Sequence, residues 1–438
     1  MKNLNSKIIL LIFIVALIIR VIVGVYSYKN EVWHSFGDDN GRVAFAKSII
    51  DNGFVVETDD FYRSESIFAP VIPIALALKI VIFGDNWLPI FILNAILGAM
   101  SCLLIYYISL RFFNREVSLI AFTWAAFYPN FIRYIGTAGN EPLIVFLFAL
   151  SVFFAIKSIK IKKISYNLFL YSFFFTLLFH TDERYISFSV LFTLLLFLGD
   201  CNLKFKLRKI LVFIVLIIIL STPWLIRNYL YYDDFVLITT RTTSLTSKFI
   251  NHKESTKVFD HEPNNAYFSP ALIDSVQMGL LTYYPKTKDK TPIRPAQVEA
   301  MKAGNIPHTF NNIEKIFSRI NYLWMPFKFT DNYRITGFTF VNKWSLKHNL
   351  LTGLSYGLLL PFMLLALIDL IKKKRWMAVT LFTSIMLYHT FIHVAFIPYT
   401  RDRYRHPIDF VVIILGIYGI FFVYQYINNQ IQTKNRLI

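Results

Sequence analysis

Residues 8–26 read IILLIFIVALIIRVIVGVY, an apolar run broken only by Arg20. An α-helix needs ~20 such residues to cross ~30 Å of hydrocarbon, so this run is long enough to span a bilayer. It follows Lys2 and Lys7, exceeds the roughly 7–15 residue core of a cleavable leader, and has no small-residue cleavage site after it. It is read as a retained first span.

The same pattern recurs along the chain. Apolar segments run from Trp87 to Leu110, Val117 to Arg133, Pro142 to Ile156, Ile164 to Phe179, Tyr185 to Leu198, Ile210 to Ile226, Leu350 to Ile371, Trp376 to Phe396 and Ile408 to Tyr426. Hydrophobic residues make up 55% of the chain, above the roughly 45–50% of a soluble domain. The expected fold is therefore an all-α polytopic membrane protein with about ten transmembrane helices, several of them shorter than the ~20-residue ideal.

Charge fixes the orientation, because short cytoplasmic loops collect Lys and Arg. With the N-terminus inside, the inner loops hold Arg111 and Arg115, then Lys157, Lys160, Lys162 and Lys163, then Lys204, Lys206, Arg208 and Lys209, then Lys372, Lys373, Lys374 and Arg375, with Lys434 and Arg436 in the tail. The alternation holds only if Ala69 to Phe83 does not span. With Pro70 and Pro73 in about fifteen residues it is too short, and it is read as a helix lying in the outer interface.

Three parts follow: a membrane module over residues 1–232, an outer loop or small subdomain over 233–349, and C-terminal membrane helices over 350–438. The formal charge of +18 does not signal nucleic acid, since the inner-loop positives face anionic lipid. Cys102 falls in a span and Cys201 in an inner loop, which excludes a disulfide framework. The expected location is the plasma (inner) membrane, multi-pass.

Four outer-side clusters could carry chemistry. Asp38 and Asp39 open a segment with Ala44, Phe45, Ala46, Ile49 and Ile50 at helical spacing, which puts two carboxylates at the start of a short surface helix. Capping of that helix is the plain alternative. Glu141, before Pro142, stands where a span re-enters the membrane; it is either a first-turn acid or a group facing an interior cavity. Arg401, Arg403 and Arg405 surround Asp402 and Tyr404 in a short outer loop that should be poor in arginine. A lipid phosphate would account for them, because the guanidinium fork bonds phosphate oxygens in pairs; headgroup anchoring or pairing with Asp402 would also. Arg227, at the outer end of another span, points to the same layer, with an interfacial belt of aromatic and Arg side chains as its plain alternative. Between two spans, His180 and the Asp182-Glu183-Arg184 turn form either a cavity wall or a solvated tip.

A divalent metal could be held by Asp38, Asp39 and His180, although no local ligand spacing marks such a site. His389 and His393 lie one turn apart, as ligands or as hydrogen-bonded structure. No phosphate-cradling glycine loop is present for a nucleotide.

The order of these elements resembles the polyprenol-phosphate-sugar-dependent glycosyltransferases of the GT-C class, the group containing the protein O-mannosyltransferases and the lipid A aminoarabinose transferase. Asp38-Asp39 stands where that family has its first-loop acidic pair, followed by Ala46 and Gly53-Phe54. Pro70-Val71-Ile72-Pro73, Phe83-Gly84, Arg111-Phe112-Phe113, Tyr128-Pro129 and Glu141-Pro142 come next. Pro223-Trp224-Leu225-Ile226-Arg227-Asn228-Tyr229 looks like its Pro-Trp-x-x-Arg-Asn-Tyr signature, and Arg403-Tyr404 through Pro407 like its late Arg-Tyr-x-x-Pro element. Arg42 stands where relatives commonly carry Tyr, and the family's tandem prolines are separated here.

The resemblance implies inverting transfer of a sugar from a polyprenyl-phosphate carrier to a glycan, lipid or protein acceptor on the outer face. Asp38 would be the general base, supported by Asp39, with Glu141 positioning a substrate. Arg227, Arg401, Arg403, Tyr404 and Arg405 would meet the lipid phosphate. No soluble cofactor is required by that chemistry. Two rivals share some features. An oligosaccharide polymerase or ligase would not need the early acidic pair. A transporter usually shows repeated halves and midplane charges, whereas here the charges gather on one face.

Overall fold

The computed structural model describes residues 2–30, 38–53, 68–137, 139–161, 163–199, 201–232, 235–239, 313–326, 330–335, 338–343, 346–396 and 402–436. Over these residues the chain is helical apart from one hairpin. Seven helices are long and apolar enough to cross a membrane: Ser6–Lys29, Leu88–Ser109, Glu141–Lys160, Leu203–Leu230, Asn349–Lys372, Trp376–Ala395 and His406–Thr433. Their outward faces expose Leu11, Ile22, Leu211, Leu354, Leu364 and Leu387, an apolar surface suited to lipid and not to water. The protein is a multi-pass integral membrane protein.

The remaining three expected spans are shorter helices. α5 (Arg115–Phe127) has 13 residues, or ~20 Å at the α-helical rise. It stops at Tyr128 because Pro129 excludes the helical conformation from the residue before it, and Tyr128 is extended. The chain resumes as α6 (Pro129–Arg133). α8 (Tyr166–Thr181) has 16 residues, and the last segment is a 3₁₀ turn leading into α9 (Phe188–Leu195). The long helices of the first half are α1 (Lys2–Lys29), α4 (Leu88–Ser109), α7 (Glu141–Lys160) and α10 (Leu203–Tyr232).

Both helices expected outside the spans are present. α2 is Asp38–Asn52 and α3 is Val71–Phe83. They pack on each other and on α4 through Ala46, Ile72, Leu76, Ala77 and Phe91.

The segment before the C-terminal spans holds α11 (Ile313–Trp324) and an antiparallel hairpin, β1 (Thr330–Ile335) with β2 (Phe338–Lys343). The hairpin lies within the segment expected to form an outer loop or small subdomain, and the membrane part is helical. Ile335 pairs with Phe338, and the two strands are rich in aromatic and β-branched residues. α12 (Leu346–Thr352), a π turn and α13 (Leu359–Lys372) form one span, followed by α14 (Trp376–Phe396), α15 (Asp402–Arg405) and α16 (Asp409–Arg436).

Turns expected on one side of the membrane do meet. Arg375, before α14, donates to the carbonyl of Phe112 after α4 (2.9 Å). Lys209 of α10 donates to the carbonyl of Ser158 in α7 (2.8 Å), and Lys206 to that of Phe197 (2.9 Å). α16 lies close against α13 because Gly416 and Gly419 face it; a Cβ at 419 would collide with the Phe362 carbonyl.

Arg20 does not interrupt the first span. Fully buried, it donates to the carbonyls of Ala126 (2.9 Å) and Ala125 (3.1 Å), capping the open end of α5, and to Cys102 Sγ (3.1 Å). Gly98 leaves the room its guanidinium occupies.

Candidate active site

The end of the bundle opposite the basic turns is where the candidate residues gather. α2 starts at Asp38 and Asp39, so both stand in the first turn, where the helix dipole favours negative charge. Their side chains lie outside the described residues. One turn on, Arg42 is buried, its guanidinium 5.7 Å from the Phe68 ring. Phe45 packs with Phe68 and Trp224. The helix that begins with the acidic pair is thereby fixed to the Pro-Trp end of α10, far away in sequence.

In that string the residues divide the work. Trp224 Nε1 donates to the carbonyl of Ile238 (2.8 Å), and Asn228 Nδ2 to those of Val236 (2.9 Å) and Ile238 (3.2 Å). These two side chains hold the start of the long segment against the bundle. Arg227 lies 4.9 Å over the Trp224 ring and donates from Nη1 to Asn228 Oδ1 (3.0 Å).

The turn after α8 is built into the bundle and is not a solvated tip. Asp182 is buried and accepts from the backbone N–H of Arg184 (3.1 Å), from its Nε (2.7 Å) and from its Nη2. Burial alone would raise the Asp182 carboxyl; the Arg184 guanidinium, with help from Arg42, overrides it and holds the group below its ordinary range. Arg42 of α2 is thus within electrostatic reach of this turn. The Arg184 guanidinium stacks 4.6 Å over Tyr404, which joins the turn to the arginine-rich element.

Within that element Arg401 lies outside the described residues, as does the side chain of Arg403. Tyr404 is half-buried, and its carbonyl accepts from His389 Nε2 (2.7 Å). Arg405, expected among the phosphate contacts, is fully buried. Its Nε donates to Asp409 Oδ1 (2.7 Å), its Nη1 to the carbonyl of Leu323 at the end of α11 (2.8 Å), and its face lies 3.5 Å over Tyr356. Asp409 also accepts from the Tyr128 hydroxyl (2.9 Å) and from Asn130 (3.4 Å). Burial acts against the Arg405 charge, and Asp409 more than restores it, raising the group above its usual range. Asp409 was not singled out in the sequence, yet its i+4 spacing from Arg405 is the signal that reveals it.

Glu141 opens α7 and is 4% exposed. Its carboxylate folds back over Gly139, where a Cβ would strike Oε2, and it is within electrostatic reach of Tyr185 and His406. Asn94 holds the loop before it, donating to the carbonyls of Ile135 (3.2 Å) and Thr137 (2.9 Å). His180 is buried with Nδ1 donating to the Thr176 carbonyl (2.9 Å). His389 and His393 are buried as well, His393 Nδ1 donating to the His389 carbonyl (2.8 Å). Among the described residues no three His, Cys, Asp or Glu side chains converge as metal ligands.

The chain matches the model of the dolichyl-phosphate-mannose-protein mannosyltransferase family over residues 68–226, rather more than a third of its 438 residues. That stretch runs from Phe68 to Ile226, from beside α3 to just short of Arg227. No curated protein matches the chain. Among solved structures, the Archaeoglobus fulgidus oligosaccharyltransferase in its apo form aligns with a TM-score of 0.54 and 13% identity, over 98% of this chain and 52% of that one. The archaeal oligosaccharyltransferase AglB from Archaeoglobus fulgidus, in complex with an inhibitory peptide and a dolichol-phosphate, aligns with a TM-score of 0.53 and 12% identity over the same shares. The chain spans about half the length of the structures it matches, and at these identities what is shared is the fold.

Proposed function

We propose that this chain, whose fold is that of the GT-C glycosyltransferases, transfers a sugar from a polyprenyl-phosphate carrier to an acceptor at the outer face of the membrane, with inversion at the anomeric carbon. The observation that carries the reading is the junction of α2, which begins with Asp38 and Asp39, with the Trp224 end of α10 through Phe45 and Phe68. It brings an acidic helix start to the arginine-bearing signature. The dolichol-phosphate in the AglB complex supports a lipid phosphate as the carrier.

In this mechanism Asp38 takes the proton of the acceptor hydroxyl or amine. The freed electron pair attacks the anomeric carbon while its bond to the phosphate oxygen breaks, through an oxocarbenium-like state. The departing lipid phosphate keeps that electron pair, and Arg227, Arg401 and Arg403 stabilise its growing charge. Tyr404, under Arg184, lines the approach. Arg405 serves this site from behind, holding the start of α16 through Asp409. A membrane orientation with the basic turns in the cytoplasm puts the acidic helix outside.

Trp224 beneath Arg227 offers a direct reading of the carrier site. Polyprenyl phosphate titrated into the purified protein is expected to quench tryptophan emission. The response should be lost in Trp224→Phe and weakened at least ~10-fold in Arg227→Ala, the scale of one charge-assisted contact. An equal response to the unphosphorylated polyprenol, or none to the phosphate, contradicts the site.

Both flanks of the long segment are tied to this end of the bundle, residues 235–239 by Trp224 and Asn228, and Leu323 by Arg405. We propose that the segment selects the acceptor. Deleting residues 251–302 is expected to change acceptor choice while sugar release from the donor continues; unchanged acceptor preference would reject this role.

A further inference from the structure

We infer that α16 carries a dimer interface: from Ile417 onward, one face of this helix pairs in parallel with the same face of a second copy of the chain. The inference does not depend on the transfer reading.

α16 has 28 residues, ~42 Å at the α-helical rise against ~30 Å of hydrocarbon. The excess emerges at the end of the bundle that bears the basic turns, where Lys373 Nζ lies 5.5 Å from the Phe422 ring. Beyond that level the chain reads Tyr424-Gln425-Tyr426-Ile427-Asn428-Asn429-Gln430-Ile431-Gln432-Thr433. Polar side chains at this density belong outside hydrocarbon. Every residue of the stretch is exposed, so the helix stands clear of the other described residues of its own chain. A short helix left alone in water is marginal.

Its apolar residues are not scattered. Ile417, Ile420, Tyr424, Ile427 and Ile431 follow one another at spacings of three and four, the a/d pattern of a coiled-coil seam. Tyr418, which donates to Asp369 of α13 (2.5 Å), and Phe422, beside Lys373, stand on the opposite side of the helix. The seam therefore faces away from α13. Its far end is open, with Tyr424 64%, Ile427 52% and Ile431 53% exposed. Its near end, Ile417, Ile420 and Tyr424 with Phe421, lines an apolar cavity of about 280 Å³ shared with Ile120 of α5. Projecting side chains and a hollow to receive them thus share one continuous face, as a self-complementary two-fold interface requires.

Charge selects the occupant. A parallel pair sets each side chain near its own twin, so like charges along the seam would oppose it. The neighbouring turns carry Arg111, Arg115 and the run from Lys372 to Arg375, yet α16 has no charged residue between Asp409 and Lys434. On a chain of formal charge +18 this neutral face suits a second copy and offers nothing to complement a charged partner. Two copies inserted in one membrane share an orientation, so their α16 helices meet in parallel. Lipid tails can cover Ile417 and Ile420, but Ile427 and Ile431 lie past the basic turn.

The test is cross-linking in native membranes of the full-length protein carrying Cys201→Ser, with the buried Cys102 left in place. Tyr424→Cys, Ile427→Cys and Ile431→Cys are expected to give disulfide-linked dimers at several times the yield of Gln425→Cys and Asn429→Cys, which point away from the seam. Counting photobleaching steps in dilute liposomes, with one fluorophore per chain, should find the wild type dimeric. Ile427→Glu combined with Ile431→Glu should make it monomeric while the bundle keeps its resistance to protease. Equal cross-linking around the helix, a monomeric wild type, a dimer that survives both glutamates, or an adduct with a different protein in place of the dimer overturns the inference.

Discussion

Asp38→Asn is expected to lower sugar transfer by about 10²–10⁴-fold, the range a positioned general base supplies, while the protein still inserts and folds. The substitution is informative because asparagine matches aspartate in size and α2 begins at this residue. A variant that changes little at the helix start but loses the proton acceptor separates a structural role of the acidic pair from a catalytic one. Rates measured on purified, folded protein decide it. Transfer at the wild-type rate would return Asp38 to a capping role and move the search for the base elsewhere.

The largest effect on stability is expected from Asp409→Ala. Arg405 is fully buried with Asp409 as its carboxylate partner, and removing one member of a buried pair strands the other charge at a cost of about 3–5 kcal/mol. The same substitution removes the acceptor of the Tyr128 hydroxyl. A steep fall in thermal midpoint and in yield should follow. Arg405→Met combined with Asp409→Leu should recover much of the loss, since apolar replacement of both partners removes the stranded charge. A midpoint for Asp409→Ala within experimental error of wild type would show that Arg405 finds other compensation.

The two helices outside the spans were legible because their signals are local. The apolar spacing after Asp39 and the short proline-bearing run from Ala69 each declare a helix without tertiary information. The ends of the spans were less so. α10 runs from Leu203 to Tyr232, beyond the apolar core from Ile210 to Ile226, because Lys and Arg continue a helix as readily as they end a hydropathy window. α5 ends at Tyr128, although Pro129 was there to be read as its stop.

At the site, contacts between distant segments are what the sequence does not display. In the Pro-Trp-x-x-Arg-Asn-Tyr string the arginine is the residue that suggests phosphate, yet Trp224 and Asn228 make its contacts to the carbonyls of Val236 and Ile238. Those partners lie beyond the string and follow no period. Arg405 groups with its neighbours by its place in an arginine-rich outer loop and by the Arg-Tyr-x-x-Pro resemblance, neither of which shows that it is buried. The turn of helix that carries it inward depends on Asp409, an acid at the head of an apolar run, and on Tyr128, some 281 residues earlier in the chain. Pairings at that separation have no counterpart in a window of sequence.

The central claim is that the protein removes a sugar from a lipid phosphate. Its most direct test is turnover by the purified protein of radiolabelled polyprenyl-phosphate sugars, supplied with an envelope acceptor extract and run beside Asp38→Asn and Arg403→Ala. The account predicts release of label from at least one donor and its loss in both variants. No turnover of any donor by folded protein, or turnover that survives both substitutions, would contradict it.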